Sequence, residues 1–477
     1  MTATTSNDGG VKFSRLPKRG VLLGLTVAQL VALGSGLVPL IAAIYTGGTA
    51  VVAVLPLMMV AAVVALVPVA GRPIVTWLPV ASAWVWRTMT GQLEFRARTD
   101  RPRPAGTLAL PGRAAALRLV TDPVTGAALV HDPHAATLTV TVPVTAGGFT
   151  LLDGDEQARR AADWGRVLAT ACRSGNLAAL TVTERTLPGS GASLAQWWQA
   201  HGTHDDGLPA TVYGELIERA GPTAERHDTA ITLTLNMRTA ARAVRAAGGG
   251  LTGAVEVLRQ ETHTISTALR TADLAPSPPL DAGGLAVRLR TAYDPGCGPL
   301  LERNPSAGRD PHAAGPIGVS ESWGAVRADG SWHATLWISQ WPQSAVHPGF
   351  LAPLLLTSGI QRTLTIRYEP VRPDAAARDL RRKKTGHLTE AAQRAKAGQI
   401  QDATQAAELD DVLAQEAELA VGHGVLRTTG LLTVTATEPD DLERDVAAVE
   451  QAAVQAGCET RRLWGQQAAA LCAVAVV

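Results

Sequence analysis

Five lysines are all that this chain of 477 residues offers to a phosphate: Lys12, Lys18, Lys383, Lys384 and Lys396. A phosphate-binding loop needs a glycine-rich turn feeding a helix, and a lysine that reaches the β- and γ-phosphates. No lysine here follows a GxxxxG spacing, and Gly248-Gly249-Gly250-Leu251-Thr252-Gly253 supplies glycines alone, the pattern of a helix break. The eleven histidines form no HExxH, and no GxSxG elbow is present. His131 and His134 flank Asp132-Pro133, which reads as a turn between strands. His201 and His204 beside Asp205 and Asp206 are better placed for a divalent metal, but glycine and threonine surround them and the segment reads as a solvated loop. Cys172, Cys297, Cys458 and Cys472 stand far apart without CxxC spacing, as expected of reduced, mostly buried thiols in a cytoplasmic compartment. The expectation is a protein that is not an enzyme, with no catalytic residue, cofactor or metal site.

The elements that carry these residues are easier to read than the chemistry. Lys and Arg total 43 against 42 Asp and Glu, a balance that excludes a nucleic-acid binder driven by global charge and a disordered acidic tail. The charges are unevenly placed, because none of Asp, Glu, Lys, Arg or His occurs between Arg19 and Arg72. About 20 apolar residues cross a bilayer, so this stretch predicts a transmembrane hairpin over 21–71, with spans at 21–44 and 50–70 joined by Tyr45–Thr49. Lys12, Arg15, Lys18 and Arg19 precede it in a basic tail (1–20), and Arg72 follows it. The positive-inside rule then puts both termini in the cytoplasm, the protein being held at the inner (plasma) membrane.

The remainder predicts an α+β body with mostly antiparallel sheets. Residues 72–106 read as a juxtamembrane segment and linker in which Trp77, Trp84 and Trp86, interleaved with arginine, suit the headgroup zone or pack into the first soluble unit. A first cytosolic α/β unit is expected over 107–275. Thr137 to Val142 alternates as a half-buried strand, Asp153 starts a helix carrying Trp164, Val167, Leu168, Ala171 and Cys172 on one face, and Leu180 to Arg185 and Ile231 to Met237 return as strands. This order predicts helices on one face of a sheet. A Pro/Gly-rich linker (276–318) leads to a second unit over 319–477, where Ala328-Asp329-Gly330 signals a hairpin. In the strand after it Trp332, Ala334, Leu336 and Ile338 alternate to one side, Trp337 and Trp341 to the other, so that Trp337 and Trp341 serve either a doubly covered core or a partner surface. Residues 373–421 predict a helical hairpin setting Arg381, Arg382, Lys383 and Lys384 against later acids; the same basic run would also suit phosphate groups. Strand, helix and strands through Arg461 and from Ala470 to Val477 close the chain.

Five short motifs carry a resemblance. The hairpin followed by Gly71-Arg72-Pro73 and Trp77-Leu78-Pro79 resembles the PrgI-like family of two-span membrane proteins, the VirB-three-like component of conjugative type IV secretion. Trp164-Gly165-Arg166-Val167-Leu168, Glu184-Arg185-Thr186-Leu187-Pro188 and Arg461-Arg462-Leu463-Trp464-Gly465-Gln466-Gln467 are similar to the N-terminal region of VirB-four-class conjugation ATPases, without their nucleotide-binding domain. A truncated layout of this kind is like an actinobacterial group of conjugation-associated membrane proteins. The resemblance implies an inner-membrane scaffold of a type IV-like DNA-transfer apparatus, oligomeric within a complex, docking a conjugation ATPase and channel subunits, with no direct contact to nucleic acid required. The alternatives are a two-span core subunit of type VII secretion and a membrane-tethered enzyme with an unrecognised site.

Overall fold

The computed structural model describes residues 25–47, 50–69, 71–98, 104, 106–202, 207–220, 225–342, 346–371, 375–382, 384–385, 389, 412–413, 416–417 and 424–476. They form two compact units, Arg15–Leu93 and Glu94–Val477.

The first unit is helical. α1 (Val27–Thr46) starts at a capping box, in which the Thr26 hydroxyl accepts from the Gln29 amide and Gln29 Oε1 accepts from the Thr26 amide at 2.9 Å. The cap sets the helix start at Val27 where the apolar run alone predicts residue 21; residues 21–24 lie outside the described set. Among the described residues α1 is the one helix long and apolar enough to cross a membrane. α2 (Ala50–Leu66) is apolar but has 17 residues and stops short of Pro68, because a residue before proline is pushed out of helical geometry. The expected span to residue 70 thus ends at Leu66, and β1 (Pro68–Val69) pairs antiparallel with β2 (Arg72–Pro73) before α3 (Leu78–Met89).

The second unit is built on one sheet of 13 strands. Its first half runs β3 (Glu94–Arg96), β4 (Arg118–Thr121), β5 (Ala128–Asp132), β6 (Thr137–Thr145), α4 (Gly154–Ser174), β7 (Leu177–Pro188), α5 (Ala192–His201), α6 (Leu208–Ala220), β8 (Glu225–Asn236), α7 (Ala241–Ala246), α8 (Gly250–Thr271), β9 (Ala275–Pro276), α9 (Ala282–Tyr293) and α10 (Gly298–Arg303). The second half runs β10 (Gly318–Glu321), β11 (Val326–Ala328), β12 (Ser331–Gln340), α11 (Ala352–Leu355), β13 (Gln361–Val371), β14 (Val425–Ala436), α12 (Pro439–Gln455), β15 (Glu459–Arg462) and α13 (Gln467–Val476). The strand order is β3-β10-β11-β12-β14-β13-β7-β8-β6-β5-β4, with β15 beside β12 and β9 beside β6, and every pairing is antiparallel.

Threonine alternation explains the layers. Apolar residues of β6, β7 and β8 such as Val140, Leu180 and Leu233 pack with Val167, Ala171, Leu258 and Ile265 from α4 and α8, and Leu336, Leu364 and Leu432 pack with Leu442, Val446 and Val449 from α12. The intervening threonines form the opposite face, where Thr141 meets Thr232 at 3.2 Å and Thr335 meets Thr433 at 2.9 Å. This face carries helices as well. His333 bonds the Tyr293 carbonyl at the end of α9, and the Thr335 amide donates to Gln467 of α13 at 2.7 Å. Helices therefore cover both faces, where one was expected.

Two further expectations change. The stretch 276–318, read as a linker, carries α9 and α10. Asp281 caps α9, accepting from Gly284 N, and Leu285, Ala286, Leu289 and Tyr293 enter a core shared with α13. Gln467–Val476, read as a strand from Ala470, is helical, because alanine has the strongest helix propensity and a short apolar run carries no decisive period. Other local readings hold: Asp153 caps α4, glycines 248–250 take positive φ at the α7–α8 break, and Asp329 (φ 49°) turns β11 into β12. The helical hairpin at 373–421 lies largely outside the described residues.

Candidate functional site

In α1 and α2 the usual logic of a globular core is reversed. The buried positions are Gln29, Gly36 and Ala43 on α1 and Ala61 and Ala65 on α2, while Val31, Val38, Val52 and Met59 face outward, each more than 60% exposed. Small residues let the two backbones approach: a Cβ on Gly36 would lie 2.7 Å from Ala61 Cβ. The one polar side chain between them is satisfied, Gln29 Nε2 donating to the Ala65 carbonyl at 2.9 Å. Small residues inside, bulky apolar residues outside and one satisfied amide is the packing that helices adopt in hydrocarbon.

α3 extends the pattern. Leu78, Val85, Trp86 and Met89 are exposed, and their spacing sets them along one side of the helix. Trp84 is half-buried beneath the Arg87 guanidinium, 5.4 Å from its ring centroid, and Trp77 donates its indole N–H to the Val69 carbonyl at 3.0 Å. Of the sequence-predicted topology flank, Arg72 lies on β2, whereas Lys12, Arg15, Lys18 and Arg19 lie outside the described residues.

In the sheet unit the predicted interface residues separate. A register shift between Ile338 and Gln340 turns Trp341 onto the core cluster of Leu336 and Ile338, so that strict alternation, which set it beside Trp337, fails there. Gly430 makes room: a Cβ on it would stand 2.9 Å from the Trp341 ring and 2.7 Å from Ile338 Cδ1. Trp337 is half-buried in β12, opposite Leu431 on one side and Arg461 on the other. Arg381 and Arg382 are exposed, Lys383 lies outside the described residues, and Lys384 pairs with Glu416 at 2.6 Å, the charge match expected of two antiparallel helical arms.

One apolar surface escaped sequence reading. Leu208, Val212 and Leu216 form an exposed stripe on α6, and Leu194 and Trp197 are exposed on α5, with His201 stacked on Trp197 at 5.2 Å. The i, i+4, i+8 spacing of the α6 residues was the available signal.

Groups that would do chemistry are dispersed or buried. Among the described residues no three of His, Cys, Asp or Glu are grouped to hold a metal. His131 sits on β5 and His134 in the turn after it, while His204, Asp205 and Asp206 lie outside the described residues. His333 is fully buried; its Nε2 donates to the Tyr293 carbonyl and its Nδ1 accepts from the Thr435 hydroxyl, both at 2.9 Å, and burial pushes its pKa down to about 4. The four cysteines are free thiols, and burial raises all their pKa values, Cys458 to about 11, the opposite of what a nucleophilic thiolate requires.

With the geometry in place, the comparisons with known proteins change the family reading. A family model described as a putative type VII ESX secretion system translocon, EccE, matches residues 223–338, from the start of β8 to β12. A comparison with curated proteins found no match. The match overturns the resemblance to the PrgI-like and VirB-four-class families, and with it the assignment to conjugation and type IV secretion. The motifs behind that resemblance are three to seven residues long, too short to specify a family.

Proposed function

We propose that this protein is a membrane-anchored, non-enzymatic subunit of a type VII-like secretion translocon, with α1 to α3 as its anchor and its sheet unit as a docking body for other subunits. The observation that carries the reading is the translocon family match over residues 223–338. It is supported by the apolar exterior of α1 and α2.

In this reading α1 and α2 both span. The 17 residues of α2 reach about 26 Å, a little short of the hydrocarbon core, and local thinning together with Val67 makes up the difference. Lys12, Arg15, Lys18 and Arg19 on one side, and Arg72 and Arg87 on the other, hold both ends in the cytoplasm. α3 then rests in the headgroup zone with Leu78, Val85, Trp86 and Met89 toward the acyl chains.

The test is crosslinking and affinity purification of the tagged full chain from membranes in mild detergent. Co-isolation of a defined set of membrane subunits and a secretion ATPase is the expected result. Recovery of the chain alone, or in the soluble fraction after alkaline carbonate, would overturn it. Alkaline phosphatase inserted at Gly47 should be active and a C-terminal fluorescent protein should fold in the cytoplasm; the reverse pattern removes the two-span topology.

A further inference from the structure

Strands β7 and β8 pair to their tips, Pro188 opposite Glu225, and a hairpin of this kind closes with about 2–5 residues. Here residues 189–224 intervene and carry α5 and α6, which meet through Trp198 and Tyr213 at 4.7 Å between ring centroids. The two helices are shallowly packed, Ile217 being the one buried residue of α6. Trp197 on α5 and Leu208, Val212 and Leu216 on α6 are each more than half exposed, and Leu194 is exposed beside them.

Charge is missing from this surface, as it is from α1 and α2. No Asp, Glu, Lys or Arg occurs between Arg185 and Asp205, or between Asp206 and Glu215. The stripe ends where Glu215 pairs with Arg219 at 3.5 Å, which leaves Glu218 as the net charge of α6 and gives no attraction to anionic headgroups. A protein–protein interface has a polar rim and selects its partner through charge. Leucine, valine, tryptophan and tyrosine without charge instead make up a face that enters the bilayer interface.

The sheet register adds a direction. Glu94, the first residue of β3, pairs with Ser320, Ser320 with Arg327, Arg327 with Trp332, and Trp332 with Ala436. The adjacent rows run through Thr435–Gln361 and Arg362–Thr186 and reach Pro188 and Glu225. The strand end that carries α5 and α6 is therefore the end at which the chain enters the sheet from residue 93.

We propose that α5 and α6 form a second membrane contact, with Leu194, Trp197, Leu208, Val212 and Leu216 seated at the headgroup–acyl boundary of a zwitterionic lipid surface. The inference rests on the membrane-anchored reading above: α1 and α2 tether the sheet unit to a bilayer, so that insertion of α5 and α6 is an intramolecular event at high effective concentration.

The experiment uses the full chain in phosphatidylcholine nanodiscs, with a nitroxide spin label at Val212→Cys. Labels at Val31→Cys on α1 and at Val454→Cys on α12, a residue 73% exposed, serve as references, and the unaltered protein gives the background of its four thiols. Collisions with oxygen, which concentrates in hydrocarbon, are compared with collisions with a neutral nickel chelate, which stays in water. The Val31 and Val212 labels should shift toward oxygen and the Val454 label toward nickel. Leu208→Cys repeats the measurement should the Val212 variant not fold. A nickel-accessible Val212 label with an oxygen-accessible Val31 label overturns this contact and leaves the anchor standing. Low access to both reagents, or dipolar broadening between labels, means that a second copy covers the stripe, and also overturns it. A nickel-accessible Val31 label removes the anchor and the inference with it.

Discussion

The two units use the same residue types in opposite places. In the helical unit valine and methionine face out, and glycine, alanine and one glutamine face in. In the sheet unit Leu336, Leu364 and Leu432 are buried, and the arginines and glutamates of α4 and α12 are turned outward or paired with one another. On the proposed membrane-anchored reading, each unit puts outermost the side chains its surroundings dissolve, and the contrast follows from two solvents acting on one chain.

The strongest way to break this contrast is Val31→Lys together with Val38→Lys. In water, exposed substitutions of this kind stay within about 0.5 kcal/mol each. In hydrocarbon each lysine costs about 2.5–3.5 kcal/mol, together about 5–7 kcal/mol, and the double variant should leave the membrane fraction in carbonate flotation. Unchanged flotation would put α1 in water and end the distinction. The reciprocal change, Leu336→Ala in the sheet core, should cost about 2–5 kcal/mol through lost burial and the cavity left behind, read as a lower denaturation midpoint. A loss under 1 kcal/mol would show that the sheet core is less tightly packed than its burial indicates.

Acid should sharpen the contrast, because the sheet unit holds the buried histidine. The folded pKa of His333 is about 4 against 6.5 for the free side chain, so the unfolded state binds the extra proton. Stability is then complete above pH 6.5, falls as pH drops from 6.5 toward 4, and levels below, a total of about 3 kcal/mol. A His333→Asn variant should lack this limb in pH-dependent unfolding, and an identical slope in both proteins would refute the assignment. The smallest effect belongs to Glu443, which the two 2.7 Å bonds from Arg462 hold below the usual carboxylate range against the opposing effect of burial. That contribution is present above the ordinary glutamate pKa and is lost as pH falls through the depressed folded value. Glu443 is largely exposed, so Glu443→Gln should cost only about 0.2–1 kcal/mol at pH 7 and nothing in strong acid, measured as a difference between two denaturation curves.

Local signals in the chain were read correctly where one backbone geometry dominates. The Thr137–Val142 alternation, the Asp153 cap, the glycine break at 248–250 and the Asp329 turn all operate over a few residues. The strand expected from Ala470 to Val477 is helical as far as Val476, because a short apolar run satisfies both periods and the choice is made by packing against α9 and β12. Trp341 was misplaced because a register shift has no mark in sequence. Part of the helical unit was legible, as an uncharged apolar run, but the outward stripe of α3 and the surface of α6 were defined only when their neighbours were known to leave them uncovered. The family was not legible from motifs of three to seven residues.

The amino-acid sequence alone determined where charge is forbidden, which residues alternate and where helices are capped, since these follow from solvation and from the periods of 3.6 and 2 residues. Tertiary structure decided what those periods leave degenerate. Strands with the same Thr–apolar alternation can pair in many orders; here β13 lies between β14 and β7, with α4, α8 and α12 packed on the apolar face and α9 and α13 on the threonine face near His333 and Arg185. That packing brings Arg185, Asp228 and Arg288 together from three separated segments, a proximity that no local pattern encodes.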